Sequence, residues 1–140
     1  LGLFGKSKDD KKLIDDLLTW MEKNKADYTN TFCYLMNIKI ANNSLYNDKD
    51  FINWSNEWQN RISINDNSKK KSLELMKETN PVIIPRNHKV EEALKAANEN
   101  NLEVMNKMLS KFDNPYNEQK DIEDYQLPSL DDNYQTFCGT

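Results

Sequence analysis

The sequence has 140 residues, of which 37% are hydrophobic, and its mean hydropathy of −0.91 is low for a self-contained globular domain. A net charge of −4 argues against a general nucleic-acid binder, and no segment is apolar for long enough to cross a membrane. Two cysteines 105 positions apart exclude a disulfide scaffold and a metal motif. We therefore expect one domain with a modest core, which stands alone or packs against something else.

Residues 6–80 contain neither glycine nor proline, which favours helices over hairpins. Apolar residues at helical spacing predict four helices in this stretch. Their apolar positions are Leu13, Ile14, Leu17, Leu18 and Met21 in the first, Phe32, Leu35, Met36 and Ile40 in the second, Phe51, Trp54, Trp58 and Ile62 in the third, and Leu73 and Met76 in the fourth. Asp27 or Thr29 is predicted to cap the second helix, and Asn47 or Asp48 the third.

A different pattern follows at residues 80–85, which read Asn-Pro-Val-Ile-Ile-Pro. The prolines exclude a helix here, so the three aliphatic residues predict a buried, extended connector. A fifth helix is predicted from Asn87 or His88. A turn at Asn100 and Asn101 separates it from a sixth, because asparagine tolerates the left-handed conformation. The apolar positions of the sixth helix are Leu102, Met105, Leu109 and Phe112.

The end of the chain is acidic. Residues 113–140 hold seven acidic residues and one lysine, a net charge of −6. Apolar residues become sparse from Asn117 onward, which predicts a largely irregular tail that is extended or disordered unless it docks. The sequence thus predicts an all-α bundle of about six helices over residues 1–116 with an extended proline-containing connector, and an acidic tail over residues 117–140 that carries Cys138.

Few residues offer catalytic chemistry. A phosphate-binding glycine loop is excluded between residues 6 and 138, and the single histidine, His88, argues against a histidine metal cluster or a catalytic triad. We assign no catalytic, cofactor-binding or metal-ligating residue. Trp54 and Trp58 could stack on a ligand, but their spacing favours the core. Arg86 either anchors the connector through charge-assisted hydrogen bonds or is solvated at the surface.

The two cysteines differ in their surroundings. Cys33 lies within the second predicted helix, which favours a buried structural thiol. No apolar pattern surrounds Cys138, so we expect an accessible thiol, although the acidic neighbourhood disfavours its reactive thiolate. From the residues alone, Cys138 is either presented by a long arm to a partner thiol or is an incidental terminal cysteine.

Several stretches carry a family resemblance in their order along the chain. They are Ala26-Asp-Tyr-Thr-Asn-Thr-Phe32, Trp54-x-x-x-Trp58-x-x-Arg61, Asn80-Pro-Val-Ile-Ile-Pro-Arg-Asn-His88 with Val90-Glu-Glu-Ala-Leu94, Asn114-Pro-Tyr116, and Tyr134-Gln-Thr-Phe-Cys-Gly-Thr140. Across its length the chain resembles the C-terminal part of the selenoprotein O (SelO/YdiU) family. Where Asn100 and Asn101 stand, that family often has Gly-Asp, a difference that the turn tolerates.

The resemblance implies a parent enzyme. Members of the family are pseudokinases that bind ATP and transfer AMP to Ser, Thr or Tyr hydroxyls of proteins. This chain would be a C-terminal fragment that has no catalytic residues and is inactive alone. Its partners would be the kinase-like domain of the same chain and the protein substrates, and it would bind neither nucleic acid nor a membrane. ATP and Mg²⁺ (or Mn²⁺) would bind the earlier, kinase-like portion. The start at Leu1 rather than Met fits an excised piece, and we expect a bacterial cytoplasmic location, or a mitochondrial one in a eukaryote.

The resemblance also implies a role for Cys138. The family has selenocysteine or cysteine at this third-last position, where it can pair with a cysteine in the activation-loop region of the kinase-like domain. Two rival hypotheses remain. One is a free-standing helical protein-interaction module that uses the Trp54/Trp58 face, and the other is a thiol-redox protein that uses Cys138 directly, with Cys33 as its resolving partner.

Overall fold

The structure is a computed structural model that describes residues 1–64 and 69–129, and within these ranges the regular structure is entirely helical. The all-α prediction is confirmed. The α-helices are α1 (Asp10–Lys23), α2 (Tyr28–Leu35), α3 (Lys49–Ile62), α4 (Lys69–Thr79), α5 (Asn87–Asn98), α6 (Glu103–Phe112) and α7 (Glu123–Gln126), and a 3₁₀ helix covers Ser44–Asn47. In these ranges no helix is long and apolar enough to span a membrane.

Two predicted caps start their helices. The Asp27 carboxylate accepts a hydrogen bond from the Asn30 backbone N–H at 2.8 Å, and the Asp48 carboxylate accepts bonds from two backbone N–H groups at the start of α3. Helix α2 ends earlier than the apolar spacing predicts. Asn37 adopts a left-handed φ of 59°, so Ile40 leaves the helix, although its side chain is still buried.

The core forms where α3 packs against α1 and the 3₁₀ helix. Trp54 and Trp58 are only 6% and 2% exposed, and their rings stack with centroids 6.1 Å apart. Each indole N–H donates to a backbone carbonyl, of Leu13 at 2.8 Å and of Leu1 at 2.9 Å. The core interpretation of this pair is therefore confirmed, and the Trp54/Trp58 face is not an exposed binding surface.

Helices α5 and α6 form a hairpin and pack against each other. Asn100 takes a φ of 64° in the turn, as predicted. The predicted apolar face of α6 is only partly covered. Leu102 and Leu109 are more than half exposed, whereas Phe112 packs against the core and the buried residue of this helix is Met108. Helical spacing predicts a helix but does not decide which face another element covers.

The connector is buried and extended, as predicted. Val82 and Ile83 are at most 1% exposed, and the Val82 N–H donates to the Pro115 carbonyl at 2.7 Å. The first part of the predicted tail, residues 117–129, contains α7 and docks on the bundle through the buried side chains of Ile122 and Gln126. The boundary between the helical subdomain and the tail stays a prediction, and residues 130–140 lie outside the described residues.

Candidate functional site

A buried guanidinium lies where the connector meets α5. The Nη1 and Nη2 atoms of Arg86 donate to both carboxylate oxygens of Asp27, at 2.8 and 2.9 Å, and Nε donates to the Tyr125 carbonyl at 3.2 Å. The side chains of Arg86 and Asp27 are 9% and 20% exposed. The predicted anchoring role of Arg86 is confirmed, and its solvated alternative is wrong, because the bidentate pair has little access to water.

Asp27 therefore serves two elements at once. Its carboxylate caps α2 and also neutralises Arg86, 59 residues further along the chain. Burial opposes ionisation of this carboxyl, but hydrogen bonds from Arg86 and from the Asn30 N–H outweigh burial, so the pKa of Asp27 is lowered. The pair stays charged at neutral pH and joins α2 to the connector.

The chain after α6 returns to this ion pair. The Gln126 side chain is 2% exposed and donates to the Val82 carbonyl at 3.2 Å, while the Asn30 side chain donates to the Gln126 carbonyl at 3.0 Å. We call this set of contacts the C-terminal clasp. It is made by Asp27, Asn30, Val82, Arg86, Tyr125 and Gln126. The clasp fixes residues 125–126 against α2 and the connector.

Most of the clasp could not be predicted from the sequence. Asp27 is recognisable as a helix cap, and Arg86 as a possible anchor, but nothing near either residue identifies them as partners. Gln126 lies in a stretch of sparse apolar residues, where no periodic pattern signals burial. A polar side chain in such a stretch is buried only when distant groups satisfy its hydrogen bonds.

Cys33 lies beside the clasp and is completely buried. Its Sγ atom is 3.6 Å from the Val82 carbonyl oxygen. Burial, with a smaller effect of the Asp27 charge, raises the pKa of the Cys33 thiol to about 11. The interpretation of Cys33 as a structural thiol is confirmed, since a buried thiol with a high pKa is a poor nucleophile.

We expect Cys33 to react very slowly with maleimide in the folded protein at pH 8. A thiol with a pKa of about 11 is about one-hundredth as ionised at this pH as a thiol with a pKa of 9, and burial adds a steric barrier. Mass spectrometry of peptides labelled with and without urea measures this. Rapid Cys33 labelling in native buffer, or a Cys33–Cys138 disulfide formed without denaturant, would contradict the buried assignment.

The remaining candidates from the sequence do not assemble into a catalytic centre in the described ranges. There, no group of three or more His, Cys, Asp and Glu side chains could hold a metal ion. His88 lies in the first turn of α5, and burial, with smaller effects of neighbouring charges, lowers its pKa. Cys138 lies outside the described residues, so the accessibility of its thiol stays a prediction.

Comparisons with known proteins point to one family. The family model described as "Protein adenylyltransferase SelO" matches residues 1–113. Proteins named "Protein nucleotidyltransferase YdiU" are 48% identical in Pelagibacter ubique and in a strain of Bacillus cereus, and 47% identical in Bacillus anthracis. Each match covers 100% of this chain and 29% of the relative. The chain therefore belongs to the SelO family of protein adenylyltransferases.

Proposed function

We propose that this chain is the C-terminal helical part of a longer protein adenylyltransferase, where it supports a kinase-like domain. The observation that carries the proposal is identity of 47–48% over the whole chain to proteins named nucleotidyltransferases, of which it spans 29%. The reaction would transfer AMP from ATP to a Ser, Thr or Tyr hydroxyl and release pyrophosphate. ATP and Mg²⁺ (or Mn²⁺) would bind the part of the protein that precedes this chain, in a bacterial cytoplasm or, in a eukaryote, a mitochondrion.

The test uses the longest reading frame that contains this chain. The purified protein is incubated with Mg²⁺ or Mn²⁺ and with ATP labelled on the α-phosphate or, in a parallel reaction, on the γ-phosphate. We expect protein-bound label from the α-phosphate alone, and none with the 140-residue chain by itself. Label transferred from the γ-phosphate would indicate a kinase, and a reading frame that starts near Leu1 would favour the free-standing interaction module.

We further propose that the tail carries a redox latch. The C-terminal clasp supports this idea because it holds Gln126 in place, so the tail leaves from a fixed point. The nine residues from 130 to 138 can span at most about 30 Å when fully extended. A partner thiol for Cys138 would therefore lie within about 30 Å of Ser129 in the longer protein.

We expect the Cys138→Ser variant of the longer protein to lose any dependence of AMP transfer on redox state. In the parent protein, the Cys138 thiol and its partner would form a disulfide by exchange with oxidised glutathione, which is reduced to two thiols. The measurement is the ratio of AMP-transfer rates after treatment with dithiothreitol and with oxidised glutathione. A ratio unchanged from the wild-type value would overturn the latch. The control is Cys33→Ser, which should keep the wild-type dependence of AMP transfer on redox state.

A further inference from the structure

An apolar groove of about 440 Å³ lies at the start of the chain, between the first residues, α1, α2 and α4. Its walls include Leu1, Leu3, Ile14, Leu18, Tyr28 and Leu75. Ile14, Leu18 and Tyr28 are 40%, 45% and 60% exposed. These large apolar side chains share one groove, a pattern that marks contact with another segment more than scattered exposed residues do.

The first residues follow a fixed course into this groove. The Leu1 carbonyl accepts a hydrogen bond from the Trp58 indole, and the Phe4 carbonyl accepts one from Arg61 at 3.1 Å. Gly2 is buried with a φ of 65°, and a Cβ atom there would lie 2.5 Å from the Ser72 carbonyl oxygen. These contacts hold residues 1–4 in place, and Leu1 lines the groove. Any residue attached before Leu1 would therefore begin at the wall of the groove.

The chemistry at Leu1 also suits a preceding residue. Burial lowers the pKa of the Leu1 amino group, because a charged ammonium loses hydration beside apolar side chains. A peptide bond at the same position carries no charge and so avoids this cost. The family model matches from residue 1, and 71% of the length of the relatives lies outside the 29% that this chain matches.

We propose that the polypeptide immediately preceding Leu1 in the longer protein docks in this groove and covers Ile14, Leu18 and Tyr28. The occupant is an apolar segment of the same chain, since the groove wall offers hydrophobic contact and the chain enters there. This inference rests on the proposed function, because it requires that the chain continues before Leu1. Docking would join the helical part to the preceding part through α1.

The first test measures thiol accessibility in the longer protein, with Cys138→Ser as background. Leu18→Cys places a thiol in the groove, and Thr19→Cys places a matched thiol on the exposed side of the same helix. We expect maleimide to label Leu18→Cys at least about tenfold more slowly than Thr19→Cys, because a docked segment must open first. Ile14→Cys and Asp15→Cys provide a second pair, and equal labelling within both pairs would overturn the proposal.

The second test identifies the occupant. A photo-crosslinking phenylalanine analogue replaces Leu18, and mass spectrometry maps the peptide that it joins. We expect a crosslink to residues before Leu1 of the same polypeptide, whereas a crosslink to a second copy would overturn the proposal. AMP transfer is also measured on the Leu18→Cys protein of the first test. Transfer together with a reactive thiol at position 18 overturns the docking alone, and a protected thiol without transfer overturns the proposed function alone.

Discussion

The Asp27→Ala variant should lower the free energy of unfolding by about 3 kcal/mol, because it leaves the buried guanidinium of Arg86 without its counter-charge. Breaking one partner of a buried ion pair typically costs about 3–5 kcal/mol, and we expect the lower end since the Asp27 side chain is 20% exposed. The same substitution removes the hydrogen bond that caps α2. Urea denaturation followed by circular dichroism measures the loss.

Two control variants separate the causes of this loss. Asp27→Asn keeps a side chain that caps helices well but removes the charge, so it should lose less stability than Asp27→Ala. Asp16→Ala removes a surface ion pair with Lys12, whose side chain is 73% exposed, and should cost less than about 1 kcal/mol. If Asp27→Ala lowers the free energy of unfolding no more than Asp16→Ala does, the ion pair between Asp27 and Arg86 does not hold the connector as described.

The Trp54→Ala variant should lower the free energy of unfolding by about 3–5 kcal/mol, the range for removing a large aromatic side chain from a core. Trp54 is 6% exposed, and the centroid of its ring lies 5.7 Å from that of Phe51. Its indole N–H donates a hydrogen bond to the Leu13 carbonyl. The substitution leaves a cavity between α1 and α3. Thermal unfolding and urea denaturation report the change.

Ile52→Ala is the matched control for Trp54→Ala. Ile52 lies on the same helix but is 46% exposed, so its truncation should cost less than about 1 kcal/mol. The comparison also tests the interaction-module hypothesis. A Trp54→Ala protein of unchanged stability that loses binding to a partner would show that the Trp54/Trp58 face is a surface after all.

The C-terminal clasp connects these stability effects to the proposed function. Arg86 binds the Tyr125 carbonyl, and Gln126 binds the Val82 carbonyl, so the loss of Asp27 should loosen both α2 and the base of the tail. Hydrogen exchange in residues 122–127 should then rise in Asp27→Ala more than in Trp54→Ala at equal denaturant.

Helices α1 to α6 and several of their ends could be predicted from the amino-acid pattern, because these depend on interactions between residues about four positions apart. Asp27 and Asp48 cap their helices, the prolines interrupt the pattern at residues 81–85, and Asn100 makes the turn before α6. The family membership was also recognisable, since its motifs are short and contiguous.

Which side chains are covered and which distant groups meet became evident from the folded structure. Leu18 and Leu109 follow the same helical spacing as buried residues, yet 45% and 53% of their surface is exposed because no described element packs over them. Arg86 pairs with Asp27 although 59 positions separate them in the sequence. Gln126 is buried in a stretch without apolar periodicity, because the Val82 carbonyl accepts its hydrogen bond. Such contacts depend on how elements pack in space, which local spacing does not encode.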